Sequence, residues 1–212
     1  MPTQLLQTLA DLRPWSLAAL ARELACEENR IRAQLATLQQ SGIVPLQETA
    51  AGWQIRPALD LLDAAWLSRA CPAAAVQVLT VTDSTNSVLA RQSARANGDA
   101  ILAEYQSAGR GRRGRTWQSP FAGQIILSMY WHYPDPHAAT ALSIVLGIAA
   151  ASALRAACYP VQLKWPNDLY LHGRKLGGIL VETAIGAHGT DTIAGIGINL
   201  LPPPTPRNPP PA

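Results

Sequence analysis

Glycine and arginine are interleaved in one stretch of this chain, Gly109-Arg110-Gly111-Arg112-Arg113-Gly114-Arg115, with Thr116 and Trp117 directly after it. Glycine permits unusual backbone angles and close approach of the main chain, while each guanidinium offers a fixed fork of donors to phosphate or carboxylate oxygens. A loop of this kind can wrap an anionic ligand. On composition alone two plainer readings compete, a solvated basic loop and an RGG-like RNA-binding tract. Such tracts lie in low-complexity regions. This one is short and joins two apolar segments, the first running into Glu104-Tyr105-Gln106 and the second starting near Ile125, which is where active-site loops belong.

A second signal is Lys164-Trp165-Pro166-Asn167-Asp168, followed by Arg174-Lys175-Leu176-Gly177-Gly178 at the start of an apolar run. A lysine on a rigid strand beside two glycines can reach a reacting oxyanion while the ligand lies against bare backbone. A hairpin turn with exposed basic residues is the plainer alternative. The third signal, Asp83-Ser84-Thr85-Asn86, stands where a strand gives way to a helix, so hydroxyls, an amide and free helix N–H groups can read a polar ligand group. Taken alone it is equally well explained as ordinary helix capping.

The elements that must carry these residues follow from periodicity. Leu5, Leu6, Leu9 and Leu12 make one apolar stripe, Ser16 is placed to cap a helix carrying Leu17, Leu20, Ala21 and Leu24, and Ile31, Leu35 and Leu38 mark a third helix ending at Gly42. Two extended stretches follow, 43–47 and 52–56, with Pro45 confining the first to an edge or irregular strand. Three helices and a β-ribbon describe a winged helix-turn-helix, or equally a small helical bundle with no nucleic-acid role. From Val76 the pattern changes. Strands are expected over 76–81, 100–104, 125–131, 161–164, 175–182 and 192–200, with a hairpin near 169–174 and a helix carrying Val88 and Leu89. The uncharged run Ala138 to Leu154 reads as a buried core helix rather than a membrane span, because strand-like segments flank it closely. The simplest arrangement is an α+β fold built on a mixed sheet. The domain boundaries expected are 1–63, 64–200 and a proline-rich tail over 201–212, which has no apolar face to bury.

Bulk properties narrow the class. With 48% hydrophobic and 15% charged residues, the 212-residue chain has the composition of an ordinary globular protein. A net charge of +3 favours anionic partners without implying a strongly basic nucleic-acid binder. Cys26, Cys71 and Cys158 are scattered and fit neither a disulfide framework nor a zinc site, so no metal ligands are assigned and a cytoplasmic location is expected. The first residues lack the pattern of a secretory signal.

Taken in order, Asp83-Ser84-Thr85-Asn86, Ala103-Glu104-Tyr105-Gln106 with the arginine loop and Trp117, Ser119-Pro120-Phe121, the KWPND segment, the RKLGGILVE segment and Gly195-Ile196-Gly197-Ile198-Asn199 closely resemble the biotin–protein ligases. The resemblance runs from about Val76 to Leu200, and the first 63 residues more loosely resemble the winged-helix domain of the bifunctional members that also repress biotin synthesis genes. It implies activation of biotin by ATP and Mg²⁺ to biotinyl-5′-adenylate, then transfer to a lysine of the biotin carboxyl carrier protein of acetyl-CoA carboxylase. Ser84, Thr85, Asn86, Gln106, Gly109 and Gly178 would hold biotin, and Arg110, Gly111 and Arg112 would close over its carboxylate and the phosphate. Lys175 and Arg112 would act catalytically. Arg112, Arg115, Trp117, Lys164, Asn167, Asp168 and Asn199 would serve the nucleotide side. In the head, Arg30, Arg32 and Gln34 would meet operator DNA, although Glu27 and Glu28 open the presumed recognition helix with the opposite charge. A homodimer is a further implied partner, and a membrane is not.

The family's core continues beyond the position of Asn199 into a small C-terminal barrel, so the expectation is a truncated chain lacking that domain and impaired in catalysis. The alternatives are a regulator that only senses the ligand and binds DNA, or a lipoate-ligase relative. The arginine loop is expected to be mobile without ligand.

Overall fold

The computed structural model describes residues 3–11, 13–57 and 59–200. Leu12 and the proline-rich tail lie outside the described residues. The chain forms two compact units, Met1–Leu62 and Asp63–Ala212.

The first unit contains α1 (Thr3–Leu9), α2 (Leu17–Glu23), α3 (Glu28–Ser41) and an antiparallel ribbon of β1 (Leu46–Thr49) and β2 (Gly52–Ile55). Its core is the leucine stripe of α1 together with Leu20, Ile31, Leu35 and Leu38, all essentially inaccessible. Ser16 caps α2, its Oγ accepting from the Ala19 N–H at 3.2 Å. Gly42 ends α3 at φ 61°, the left-handed region where glycine is unstrained. The first strand begins at Leu46, three residues later than the apolar pattern suggests, because Pro45 has no N–H to give to a ladder and the ribbon starts only after it. Trp53 on β2 exchanges both backbone hydrogen bonds with Trp15, at 2.7 and 2.8 Å, which ties the ribbon to the entry of α2.

The second unit opens with α4 (Ala64–Ala70), which periodicity did not anticipate. Asp63 caps it through the Trp66 N–H at 2.9 Å. There follow β3 (Val76–Leu79), α5 (Thr85–Arg91), β4 (Ala100–Ala103), β5 (Gln124–Tyr133), α6 (Leu142–Ala156), β6 (Gln162–Lys164), β7 (Asp168–Leu171), β8 (Arg174–Gly186) and β9 (Gly189–Asn199). The strands form one mixed seven-stranded sheet in the order β3-β4-β5-β9-β8-β7-β6, parallel only between β3 and β4. This is the α+β architecture expected. Strands β8 and β9 outrun their expected ends because they zip against each other as far as the Gly186–Gly189 turn.

The sheet carries α6 on one face and α5 on the other, and α4 packs against its edge strand β3. Ala151 of α6 packs with Val161, Leu169, Ile179, Ile196 and Ile198 on one face, and Leu89 of α5 packs with Ile101, Tyr130 and Ile193 on the other. The uncharged run forms a helix that buries one side on the sheet, through Leu142, Gly147 and Ala151, and leaves Val145 and Ile148 exposed, beginning at Leu142 after a short 3-10 turn over Pro136–Ala139. Gly147 lets it settle close to the sheet, since a Cβ there would stand 2.6 Å from the Leu163 side chain. Among the described residues no helix is long and apolar enough to cross a membrane, and all three cysteines are free.

At the end of β9 nearest the Gly186–Gly189 turn, Asp191 gathers three donors. His132 Nδ1 donates to Oδ1 at 2.8 Å, the Tyr130 hydroxyl donates to the same oxygen at 2.7 Å, and Arg95 donates to Oδ2 at 3.1 Å. The hydrogen bond from His132 and then that from Tyr130 hold the Asp191 carboxyl below the usual carboxylate range. A carboxylate lowered in the fold adds stability above its unfolded pKa, and that stability disappears as pH falls through the folded value. Asp191→Asn should therefore lower stability at pH 7 by about 1 kcal/mol, allowing for its partial exposure, and the deficit should be smaller at pH 3, below the usual carboxylate range. Thermal unfolding at the two pH values checks this.

Candidate active site

The three chemistry-bearing segments meet around one cavity of about 480 Å³. Its lining includes Ser84, Thr85 and Asn86 from the start of α5, Gln106, Arg110 to Arg113, Arg115 and Trp117 from the arginine loop, Asn167 and Asp168 ahead of and on β7, and Lys175 and Gly178 on β8. The expected cations at 110, 112 and 175 thus share one concave surface.

Strand periodicity explains why there is a hollow here. Gly178 of β8 is paired with Gly197 of β9, and Gly195 of β9 stands between Leu180 and Ser128, so one face of these two strands lacks side chains at Gly178, Gly195 and Gly197. Two of these glycines make room for the protein itself. A Cβ on Gly195 would lie 2.5 Å from Asn86 Oδ1, and one on Gly197 would lie 2.7 Å from the Trp117 ring. Gly178 is different. A Cβ there would meet only Asp168 Oδ1 at 3.5 Å and the end of Lys175 at 3.6 Å, so its bare backbone is offered to the cavity.

A buried polar network forms one wall. Gln106 Oε1 accepts both the backbone N–H of Thr85 at 2.8 Å and its hydroxyl at 3.0 Å. Gln106 therefore satisfies the first N–H of α5, whose N-cap residue Ser84 makes no side-chain capping bond. Ser128, wholly buried, brings its hydroxyl to Thr85 Oγ1 and Asn86 Oδ1. Asn86 Nδ2 donates to Glu182 Oε2 at 2.7 Å. At the corner before α5, Arg91 clamps Asp83 through both carboxylate oxygens, and this pair, with the Ser84 N–H, holds the Asp83 carboxyl well below the usual range.

The cations differ in their engagement. Arg110 donates to both oxygens of Glu182, at 2.8 and 2.9 Å, and to Ser87 Oγ at 2.5 Å, so its guanidinium is already held by the protein rather than laid open over an anion. Arg112 donates to Asn167 Oδ1 at 2.9 Å and Lys175 pairs with Asp168 at 2.8 Å. Both sit where a ligand oxygen can compete for them. Trp117 is seated on Gly197 and donates its indole N–H to Gln124 Oε1 at 2.9 Å, presenting its ring toward Lys175 with 6.0 Å between Nζ and the ring centre. The loop tip, Arg112–Gly114, turns through left-handed φ values at Arg113 and Gly114.

Three expected site residues do not line the cavity. Gly109 is packed beneath the chain at Trp117, where any Cβ would meet the Trp117 carbonyl, so it shapes the loop. Lys164 lies over the Tyr170 ring, 4.9 Å from its centre, and Asn199 accepts from Gln124 Nε2 at 2.6 Å. Arg30 and Arg32 are exposed on α3 and Gln34 is half-buried there, all in the first unit. Conversely, Ser87, Gln124, Ser128 and Glu182 do not line the cavity but hydrogen-bond to residues that do, and sequence reasoning did not select them. For Glu182 a signal existed: it shares a strand face with Gly178 and Leu180, a lone charge closing an otherwise apolar stripe.

The profile of the Biotin/lipoate A/B protein ligase family matches residues 78–199. The bifunctional ligase/repressor BirA of Salmonella typhimurium is 41% identical over 204 residues, covering 94% of this chain and 64% of that protein, and the Escherichia coli BirA is 40% identical over the same span. The chain thus spans somewhat less than two thirds of the length of these relatives. Among solved structures, a biotin protein ligase from Aquifex aeolicus in complex with biotin and ATP superposes with a TM-score of 0.52 at 31% identity, covering 63% of this chain and 55% of that one. The chain belongs to the Biotin/lipoate A/B protein ligase family.

The glycine geometry is open to measurement. Gly195→Ala must displace Asn86 and break its bond with Ser128, and should cost about 1–3 kcal/mol. Gly178→Ala, which meets only ordinary contacts, should stay within about 0.5 kcal/mol of wild type. Urea denaturation of both variants decides; equal losses would contradict the different roles given to the two glycines.

Proposed function

We propose that this chain carries the adenylate-forming site of a biotin–protein ligase, which joins biotin to ATP and passes it to a lysine of a biotin carboxyl carrier domain. The observation that carries the reading is the convergence of Arg112 and Lys175 on a cavity whose far wall is the Thr85–Gln106–Ser128–Asn86 network. One end of the cavity is suited to a neutral polar ring and the other to anions. The relatives' names, and the biotin and ATP bound by the Aquifex aeolicus ligase, support the same substrates.

The chemistry follows from the charges. A biotin carboxylate oxygen attacks the α-phosphorus of ATP and pyrophosphate leaves, so two anions must be held together while negative charge builds on the phosphoryl oxygens. Arg112 and Lys175 offset that charge, and Asn167 and Asp168 orient them beforehand. Trp117 presents a flat ring for the nucleotide and Arg115 adds positive charge at the rim. In the second step the carrier lysine attacks the acyl carbon and AMP departs, with no covalent enzyme intermediate. Magnesium fits this site as an ion carried in by phosphates: Asp168 is the carboxylate among the lining residues, and no group of three or more metal-binding side chains occurs among the described residues. Asp168 and Asn167 would hold it, and it would neutralise phosphate charge.

A second role is proposed for the first unit. Its three helices and ribbon are read as a winged helix-turn-helix that sets α3 into operator DNA through Arg30, Arg32 and Gln34, a reading supported by the repressor half of the BirA names. Binding that weakens steeply with salt at a palindromic site would support it.

Lys175→Met should lower the rate of biotin-dependent pyrophosphate release by about 10²–10³-fold, as expected for loss of one oriented donor, with a smaller change in biotin affinity. An undiminished rate would remove Lys175 from the chemistry. Calorimetry with biotin, lipoate and ATP tests the wider reading. Binding of lipoate in preference to biotin would redirect it to the other branch of the family, and binding of biotin and ATP without pyrophosphate release would make the chain a sensor.

A further inference from the structure

We propose that Gln124 is a positioning residue that sets the orientation of the Trp117 ring, the flat surface offered to the nucleotide, although Gln124 itself lies outside the cavity. The nucleotide half of this inference rests on the ligase reading. Gln124 opens β5 and is 3% exposed. It stands directly across from Asn199, the last residue of β9, on the sheet face that also holds Ile126 and Ser128. Its amide is engaged at both ends. Oε1 accepts the Trp117 indole N–H at 2.9 Å, while Nε2 donates to the Gln118 carbonyl at 2.8 Å and to Asn199 Oδ1 at 2.6 Å. The group fits only one way round, because turning it over would set NH₂ against the indole N–H and its oxygen against two acceptors.

Two contacts then define the ring. On one side it lies against the bare backbone of Gly197, where a Cβ would stand 2.7 Å from the indole. In its own plane, the hydrogen bond to Gln124 stops it from turning. A stacked contact alone lets an aromatic ring slide, whereas an in-plane donor adds direction. The anchor is itself held: the β5–β9 ladder fixes Gln124, and Leu200 N donates to Gly123 O at 2.9 Å just ahead of it. Because the indole N–H is engaged by Gln124, Trp117 meets a guest through its ring face, with Lys175 Nζ 6.0 Å from the ring centre. A flat heteroaromatic base suits that face, and the neighbouring ammonium suits its phosphates.

Fluorescence reads the ring directly. The chain has six tryptophans, so the Trp117 component is isolated by subtracting, for each protein, the emission of its Trp117→Phe counterpart. Losing one hydrogen bond shifts the ratio of held to released ring by roughly two- to tenfold. Acrylamide quenching of the Trp117 component should therefore rise at least about twofold in Gln124→Met. Gln124→Asn, one methylene shorter, withdraws the oxygen from the indole and should show the same rise even where the Met variant folds poorly. Gln124→Glu keeps an oxygen for the indole while giving up an amide donor, and should stay near wild type. Unchanged quenching in the Met and Asn variants, or an equal rise in Glu, overturns the proposal.

Pyrophosphate release tests the consequence for the nucleotide. In Gln124→Met the KM for ATP should rise roughly three- to tenfold, while that for biotin stays within about twofold. In a Trp117→Phe background the same replacement should change the KM for ATP little, because both substitutions remove one and the same bond. General damage to the fold would move both KM values together. An ATP KM that Gln124→Met leaves unmoved, or effects of the two substitutions that simply add, overturns the positioning role. A wild-type chain that binds no ATP in calorimetry and releases no pyrophosphate sinks the ligase reading instead, and the quenching result, which needs no ligand, still decides whether Gln124 holds the ring.

Discussion

Strand β9 is hydrogen-bonded along its length to β5 on one side and β8 on the other, and its two faces have opposite duties. Ala194, Ile196 and Ile198 point into the core beneath α6, while Ile193, Gly195 and Gly197 point toward α5 and the cavity. A one-residue slip would exchange the faces, setting isoleucines in the cavity and glycines in the core. The rest of the second unit depends on this register. It sets Gly178 beside Gly197 and Ser128 beside Gly195, and it brings Glu182 to the rim at the height of Arg110.

The same register explains why a cavity with so many polar groups survives in a folded protein. A buried donor or acceptor left alone costs more than a made bond returns, so polar walls are tolerated when their members satisfy one another. Thr85, Gln106, Ser128 and Asn86 do so in a chain that reaches Glu182, with strands on one side and the start of α5 on the other. The wall is stiff because each side chain takes part in more than one hydrogen bond. The proposed chemistry needs that stiffness, since two anions are brought together only if the donors facing them do not relax away.

Much of this was readable from residue types. The mixed sheet follows from alternating apolar runs, the helix at Leu142–Ala156 from its uncharged stretch, and the cap at Ser16 and stop at Gly42 from local rules. The cavity's arginines, lysine and glycines stand out because such residues are rare between apolar strands. What stayed hidden was partnership. Nothing local distinguishes Ser128 from an outward-facing serine on any strand, and only the pairing with Gly195 carries it to Asn86. Lys164 and Asn199 lie in motifs that run through the site but do not line the cavity: the ring of Tyr170, six residues on, engages the first, and Gln124, 75 residues away, engages the second. Helix α4 was missed because its seven residues are too few for a period to emerge.

Gln106 shows how a single amide can decide polarity at a distance. Its oxygen is committed to Thr85 by two bonds, which fixes the orientation of the group and turns the NH₂ end away from the helix. An NH₂ group only donates. Whatever molecule comes to rest against that nitrogen must therefore offer lone pairs there, and a guest presenting an N–H at the same spot would find two hydrogens face to face and be turned away.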